Sequence, residues 1–398
     1  MTEIRISGAN ANPRSESDIR VNFRDTTKII AASNAINDSN QAQFYSTDGG
    51  ATWSQTSLPL NAADSFHSDP TVDWTSDGTA WATAIGINAA QTSLQIRAFK
   101  SLDNGATWTF DATVSGAHTA ADKQMMWVDH SATSPNKDNI YVIWHNNSPV
   151  FVNRRTGPAG SWQTPLRVSG AETTGTGIGG DIKTNSAGDV LAFWPDTGSR
   201  KLFVAKSTDG GVSFGTPVKI ATTLDSFDIG MPSFASRRAL IYISGGAYKT
   251  ATKDVVYAIW TDLSGAAGCT GAANEPGTSV ASTCKTRIWF ARSTDGGATW
   301  GPLPPPVQGR SLFDVFVRGQ QGWIVGDQGT VLKSADGGAT WTVEPLPLQF
   351  AANWIRSVWL ASGGRGLAVG SEGLVFRVDG SSVTQLGSRA VSPTRTTS

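Results

Sequence analysis

The reactive side chains of this chain are mostly carboxylates, and they are lopsided: 26 of the 32 acidic residues are Asp and 6 are Glu. Asp69 in "FHSDPTVDW", Asp122 in "ADKQMMWVD", Asp181 in "GGDIKTN" and Asp228 in "FDIGMPSF" each open a short strand-like run. Two carboxylates facing each other across a cleft could hydrolyse a glycosidic bond, one as acid and the other as base or nucleophile. These four are the catalytic candidates. Arg20, His67, Lys123, Arg310 and Arg356 stand at matching places, with Asp18, Asp314 and Asn353 beside them. Together with Asp69 they could hold a polyhydroxylated or anionic ligand. Trp354 and Phe66 add rings for the CH faces of sugars. The competing reading is plainer: each Asp bonds nearby backbone, and each ring packs in a core.

Composition narrows the partners. Lys plus Arg equals Asp plus Glu, 32 each, and only 16% of residues are charged, so nothing favours nucleic acid or an anionic membrane surface. No apolar run approaches a membrane span, and the sequence implies no cofactor and no metal. Cys269 and Cys284 bracket the loop-like "CTGAANEPGTSVASTC"; two cysteines make no ordinary zinc site, and a local disulfide is the reading, with two free thiols as the alternative. That pair points to an extracellular or cell-surface protein, although "MTEIRISGANANP" carries no visible signal peptide.

The elements that position these residues are set by a repeat. "STDGGATW" and its variants end at Trp53, Trp108, Phe214, Trp300 and Trp341, a degenerate "RTGPAGSW" ends at Trp162, and a worn "RVDGSSV" ends at Val383. A second repeat of apolar strands precedes three of them: "VIWHN" (Trp144), "AFWPD" (Trp194) and "AIWTD" (Trp260). The long gap between Phe214 and Trp300 is one unit enlarged by the Cys-flanked segment and by an insertion around "RRALIYISGGAYKTATKD". In the second unit the four strands are "PTVDWTS", "TAWATAIGI", "LQIRAFKS" and "TWTFDATV". Four-stranded units of roughly 40 to 55 residues, repeated radially, make a β-propeller. The expected fold is all-β, with seven antiparallel four-stranded blades and six as the alternative. The blades fall at about 16–62, 63–116, 117–170, 171–222, 223–308, 309–348 and 349–388 of one propeller, followed by a flexible tail over 389–398.

Within the box, Gly50, Gly105, Gly211, Gly297 and Gly338 stand where a tight hairpin needs positive φ. Asp48, Asp103, Asp209, Asp295 and Asp336 are placed to accept turn N–H groups, and Trp53, Trp108, Trp300 and Trp341 to pack between sheets. An Asp used up by backbone donors is a poor catalyst, so the boxes are structural.

S-x-D-x-G-x-T-W resembles the Asp box, or BNR repeat, of sialidases and related propellers, and the copies span nearly the whole chain. The resemblance implies that the box turns lie away from the cleft where ligands bind. "ESDIRVNFRDTTKIIAASN" and "DPTVDWTSDGTAWATAIG" look like sialidase-like bacterial BNR proteins. "GWIVGDQGTVLKSADGGATW" and "GLAVGSEGLVFRVDG" are similar to the short blades of the photosystem II assembly factor family, over about 311–380.

A sialidase would need three Arg on the substrate carboxylate, a Tyr nucleophile paired with Glu, and an Asp acid. Arg20 falls where the family's first Arg belongs, but Val21-Asn22 replaces Ile-Pro. No Tyr follows Tyr257, and the family's nucleophile lies late in the chain. Tyr242 and Tyr248 are the only loop candidates, with Glu172 and Glu275 as possible partners. The scaffold signature is intact and the catalytic set is incomplete. The expectation is a sialidase-like Asp-box propeller that binds glycan or protein without catalysis. The alternatives are a glycoside hydrolase with its site at the propeller mouth, or a scaffold subunit of a larger assembly.

Overall fold

The structure is a computed structural model, and it describes residues 6–7, 14–35, 38–170, 176–225, 227–230, 238–263, 286–302, 310, 312–360, 365–371, 374–379 and 382–387. Cys269, Cys284, Glu172, Glu275 and the expected tail over 389–398 lie outside the described residues. Two compact units emerge: Arg5–Thr286 with Phe290–Pro302, and Leu303–Ser398 with Met1–Ile4 and Arg287–Trp289.

The larger unit holds five four-stranded sheets. The first is β1 (Arg14–Val21), β2 (Ile29–Ala35), β3 (Ala42–Ser46) and β4 (Ser54–Ser57). The second is β5 (Phe66–Trp74), β6 (Ala80–Ile87), β7 (Leu94–Ser101) and β8 (Thr109–Thr113). The third is β9 (Ala121–Val128), β10 (Ile140–Asn146), β11 (Val150–Arg155) and β12 (Leu166–Arg167). The fourth is β13 (Asp181–Thr184), β14 (Val190–Asp196), β15 (Lys201–Ser207) and β16 (Val218–Thr222). A hairpin of β17 (Asp228–Gly230) and β18 (Arg238–Leu240) precedes the fifth sheet, which is β19 (Ile243–Lys249), β20 (Asp254–Leu263), β21 (Thr286–Ser293) and β22 (Gly301–Pro302). The smaller unit holds two such sheets: β23 (Leu312–Arg318), β24 (Gln321–Gly326), β25 (Val331–Ser334) and β26 (Thr342–Val343), then β27 (Ile355–Leu360), β28 (Gly366–Gly370), β29 (Val375–Asp379) and β30 (Ser382–Gly387). These seven antiparallel meanders are the blades of a β-propeller.

Second strands carry the core because both of their faces are covered. All eight residues of β6 and all seven of β14 are buried, and Trp81, Trp144 and Trp194 are fully enclosed. First strands instead contact one another from blade to blade, β1 on β5, β5 on β9, β9 on β13 and β13 on β19, and in the smaller unit β23 on β27.

One expectation needs correcting. "RRALIYISGGAYKTATKD" is not an insertion: it contains β19, the first strand of the fifth blade. Asp228, expected at the start of that strand, lies on β17 of the extra hairpin, and its side chain is outside the described residues. The reason is steric. A Cβ on Gly245 would come within 2.2 Å of the Phe193 ring, so this strand needs small residues and shows no apolar alternation.

Candidate functional site

Antiparallel order gives every blade two ends. The box hairpin between third and fourth strands shares one end with the turn after the first strand; the start of the first strand lies at the other.

At the box end, the five well-kept repeats build one network. Asp48 accepts from the Thr52 N–H (2.9 Å) and hydroxyl (2.6 Å) and from the Ser46 hydroxyl (2.8 Å), which itself accepts from the Gly50 N–H (2.8 Å). The same bonds recur around Asp103, Asp209, Asp295 and Asp336. Gly50, Gly105, Gly211, Gly297 and Gly338 have φ of 89, 93, 83, 98 and 86°. The Thr52 hydroxyl and N–H, then Ser46, hold Asp48 down to about 2. Asp295 and Asp336 also fall to about 2, their slight burial overcome by the same donors, and Asp103 and Asp209 are lowered too. The boxes also seat blades on one another: Gly105 lies against Ile30 and Tyr45 of the first blade, and the Tyr141 hydroxyl of the third donates to the Gly210 carbonyl of the fourth (3.2 Å). Trp108 is buried in the core shared by the first two blades. Indole N–H groups of Trp53, Trp108 and Trp300 donate to carbonyls of their own turns at 3.0–3.1 Å. The degenerate third box differs, Trp162 donating to Asp111 (2.9 Å) beside Arg155.

Midway along the first strands, carboxylates join neighbouring blades. Asp18 accepts from the Val72 N–H (2.9 Å), Asp73 from Val128 (3.0 Å), Asp181 from Gly245 (2.8 Å) and, in the smaller unit, Asp314 from Val358 (2.9 Å). Their second oxygens take the N–H of the next residue: Ile19, Trp74, Ile182 and Val315. Arg20 and Lys183 fold back onto Asp18 (2.7 Å) and Asp181 (2.5 Å). Burial opposes the Arg20 charge, but Asp18, Asp73 and Asp181 outweigh it and hold the guanidinium above its ordinary range. Asp73 is fully enclosed; burial pushes it up, and His130 at 2.9 Å with Arg20 pulls it further down. Thus Asp181, a catalytic candidate, is spent on backbone and Lys183.

The leading ends carry a different cluster. A bulge interrupts β1, β5 and β9, and at each one a non-glycine residue is left-handed: Glu16 (φ 52°), Asp69 (51°) and Lys123 (50°). Gly179 (φ 50°) takes the equivalent place before β13. Glu16 stands beside Asp69 of the neighbouring blade, near enough for one carboxyl to act on the other. The Asn34 side-chain amide donates to Glu16 (2.7 Å), the Ser68 hydroxyl to Asp69 (2.8 Å), and the Gln124 amide to the Asp69 carbonyl. Partial burial first, then the bond and charge of Asp69, hold the Glu16 carboxyl up at about 7, against the pull of Lys123 and Asn34. The Lys123 ammonium stands 4.9 Å from the centre of the Tyr242 ring, which packs edge-on against Phe227. Burial, then Asp122, Asp69 and Glu16, push the Tyr242 hydroxyl up to about 12. Asp122 is exposed, takes the Lys123 N–H (2.7 Å), and lies 4.0 Å from the buried His145.

His67 is not part of this cluster. It is buried against Phe99, and burial holds its ring down at about 4. Phe66 opens β5 half-buried. Sequence reasoning missed Glu16 and His145 and misplaced Tyr242. A signal existed for the first: Glu16, Asp69, Lys123 and Gly179 recur at intervals of 53, 54 and 56 residues, the period of the boxes.

Two family profiles match. The BNR/Asp-box repeat covers residues 44–55, and the photosynthesis system II assembly factor YCF48 covers residues 285–379. The chain is a β-propeller that carries BNR/Asp-box repeats. Among solved structures the propeller is similar to YCF48 bound to D1 peptide, at 15% identity over 93% of this chain and 94% of that one (TM-score 0.49). It is also similar to YCF48 from Cyanidioschyzon merolae, at 17% over 93% and 97% (TM-score 0.48). A third is the alpha-L-arabinanase of Penicillium chrysogenum complexed with arabinobiose, at 12% over 82% and 94% (TM-score 0.46). Likenesses this remote assign neither ligand nor activity. No curated protein matches the propeller.

In the smaller unit of the propeller, the leading ends of β23 and β27 bring together Phe313, Trp354 and Arg356. The Arg356 guanidinium lies 4.9 Å from the Phe313 ring centre, and Trp354, 54% exposed, stands edge-on to Phe313 at 6.5 Å. Arg310 instead donates to Gln328. The Asn353 amide and the Trp354 N–H both donate to the Ser371 hydroxyl, fixing the approach to β27. No group of three or more His, Cys, Asp or Glu able to hold a metal occurs among the described residues, and no described helix is long and apolar enough to cross a membrane.

Proposed function

We propose that this Asp-box propeller is a non-catalytic binding module that takes a glycan or protein ligand at the leading ends of its first strands. The observation that carries this reading is that Asp181, a catalytic candidate, is spent on the Gly245 N–H of the neighbouring blade (2.8 Å) and on Lys183 (2.5 Å). Two-carboxylate glycosidases keep their pair about 5–5.5 Å apart when retaining and about 6.5–9.5 Å apart when inverting, to admit a sugar carbon or a water. A carboxylate already committed to a backbone N–H and an ammonium is free for neither role. The other candidates support the same view, since Asp69 accepts from the Ser68 hydroxyl and Asp122 faces solvent beside His145. Exposed Trp354 beside Arg356 suits a sugar face or a peptide side chain. The YCF48 profile over 285–379, named for an assembly factor, favours a protein among the two ligand classes. The expected extracellular or cell-surface setting remains part of this proposal, as does the bacterial, sialidase-like character.

A hydrolase is the second reading, and one observation favours it: a carboxyl held at about 7 suits a general acid. The test is direct. The purified chain is run on a glycan array, used as bait against candidate protein ligands, and incubated with aryl sialosides, arabinosides and other aryl glycosides. Saturable binding without turnover supports the module. Turnover abolished by Asp69→Ala or Asp122→Ala overturns it in favour of the hydrolase, and a stoichiometric protein complex with no glycan binding selects the scaffold.

A further inference from the structure

The seam between the first two blades is apolar toward the box end, where Ile30, Tyr45, Trp74 and Phe99 share one core. Toward the leading end the same seam turns polar. Gln43 pairs with Ala32 on β2, and Gln41 stands two residues before it, so both amides face the second blade as Ala32 and Tyr45 do. His67 pairs with Gly86 on β6, on the face of Ala84, and its ring lies edge-on to Phe99 at 5.5 Å. The His67 N–H donates to the Ser39 carbonyl (3.0 Å), which brings the approach to β3 against the start of β5. Gln41 and Gln43 are each 1% exposed and His67 is 7% exposed. Yet both amide atoms of Gln43, both ring nitrogens of His67 and Oε1 of Gln41 meet no hydrogen-bonding group among the described residues. The neighbouring charges are already paired, since Arg97 forks onto Asp64 (2.8 and 2.6 Å) and reaches Thr113 (2.6 Å). Asn34 is likewise held between Gln41 and Glu16.

We propose that the leading half of this seam is a hydration site, in which ordered water bonded to Gln41, Gln43 and His67 joins the first blade to the second. Buried polar atoms of native proteins are almost always paired, and ordered water serves where no protein group does. The three side chains supply what water needs. Gln43 Nε2 donates, the two amide oxygens accept, and His67, kept neutral by its burial, does one of each. None of them carries a charge, and enclosure beyond nine-tenths admits only a small molecule. The need recurs along the unit. Trp144 and Trp194, fully buried in the next two seams, each hold an indole N–H with no acceptor among the described residues. Each asks for one acceptor, so the first seam is the richest instance of a repeated need. The site stands whether or not the leading end binds a glycan or a protein.

Two measurements test it. A high-resolution crystal structure is expected to show at least one water bonded to two or more of Gln41, Gln43 and His67. Side chains bonded directly to one another, with no water between them, overturn the proposal. The second measurement is stability, whose sign separates the two cases. Gln43→Met keeps the length of the side chain and removes its amide. If water bridges the amide, the melting temperature falls, by about 2 °C or more. If the amide is dry and unpaired, its removal raises the melting temperature. His67→Phe is expected to lower it as well, and the double variant to lose less than the sum, because both side chains hold the same water. Additive losses, or a rise in Gln43→Met, overturn the bridge. Should either variant fail to fold, the crystal structure of the unaltered protein decides alone. Water in the seam of a protein that binds no ligand leaves the hydration site standing and sinks only the binding reading.

Discussion

Asp295 at the box end of the fifth blade and Glu16 at the leading end of the first are both carboxyls on tight backbone, yet they are held in opposite states. Asp295 faces two hydroxyls and an N–H, all donors, and is held down to about 2. Glu16 is held up at about 7 by partial burial first and then by the neighbouring carboxyl of Asp69. Donors favour the charged form, whereas burial and a like charge disfavour it. A box therefore completes itself from residues two to four places along the chain, and it works wherever the octapeptide is inserted. The leading-end pair completes itself only when two blades are docked, so it reports on the assembly of the blades. Between these extremes lie the Asp ties, whose acceptor is on one blade and whose donor is on the next.

The comparison breaks first at the ties. Asp73→Ala removes a fully enclosed carboxylate that serves Val128, Trp74 and His130, and it leaves His130 beside Arg20 without its counter-ion. Losing one partner of a buried pair costs about 3–5 kcal/mol, which chemical denaturation would read as a large drop in midpoint. A drop no larger than that of a box variant would mean the ties contribute little beyond the meanders they join. The box counterpart is Asp103→Ala. It removes bonds to the Thr107 N–H and hydroxyl and to the Ser101 hydroxyl, in a turn open to water. Water replaces part of each bond, so the expected loss is about 1 kcal/mol, with Trp108 fluorescence showing whether the ring leaves the interblade core.

How much of this was legible follows the same ordering. The box was legible because its chemistry is local: glycine at positive φ, an Asp to accept, a hydroxyl to close the ring. The ties were half legible. Asp18, Asp181 and Asp314 stood out as strand-opening carboxylates, and backbone bonding was one of two readings of them; what the sequence lacked was the donor, 44 to 64 residues away. The leading-end pair was not legible as a pair. Glu16 and Asp69 meet only because a bulge turns each one out of the alternating pattern, and a bulge leaves no mark in residue type. The fifth blade misled for a related reason. "ISGGAYK" does not read as a strand until Phe193 of the neighbouring blade is seen to fill the space above Gly245. Asp228 was assigned to the wrong strand on the same ground.

The subtlest effect is the sign of the pH dependence, and it separates the two ends most sharply. For Asp48, Asp295 and Asp336 the folded value of about 2 lies below the ordinary 3.8. Their contribution is therefore fully present above 3.8 and is lost as pH falls through about 2. For Glu16 the folded value of about 7 lies above 4.5, so its contribution is fully present below 4.5 and is lost as pH rises through about 7. Between 4.5 and 7 the boxes are flat and Glu16 slopes downward. The melting temperature of the unaltered protein minus that of Glu16→Gln isolates this slope, because groups that do not interact with Glu16, His67 and His130 included, cancel in the difference. The difference should decline by a small but measurable amount from 4.5 to 7 and stay level below 4.5. A difference that is constant with pH would mean that Glu16 does not hold a proton in the folded state, and the contrast between the two ends would reduce to one of exposure.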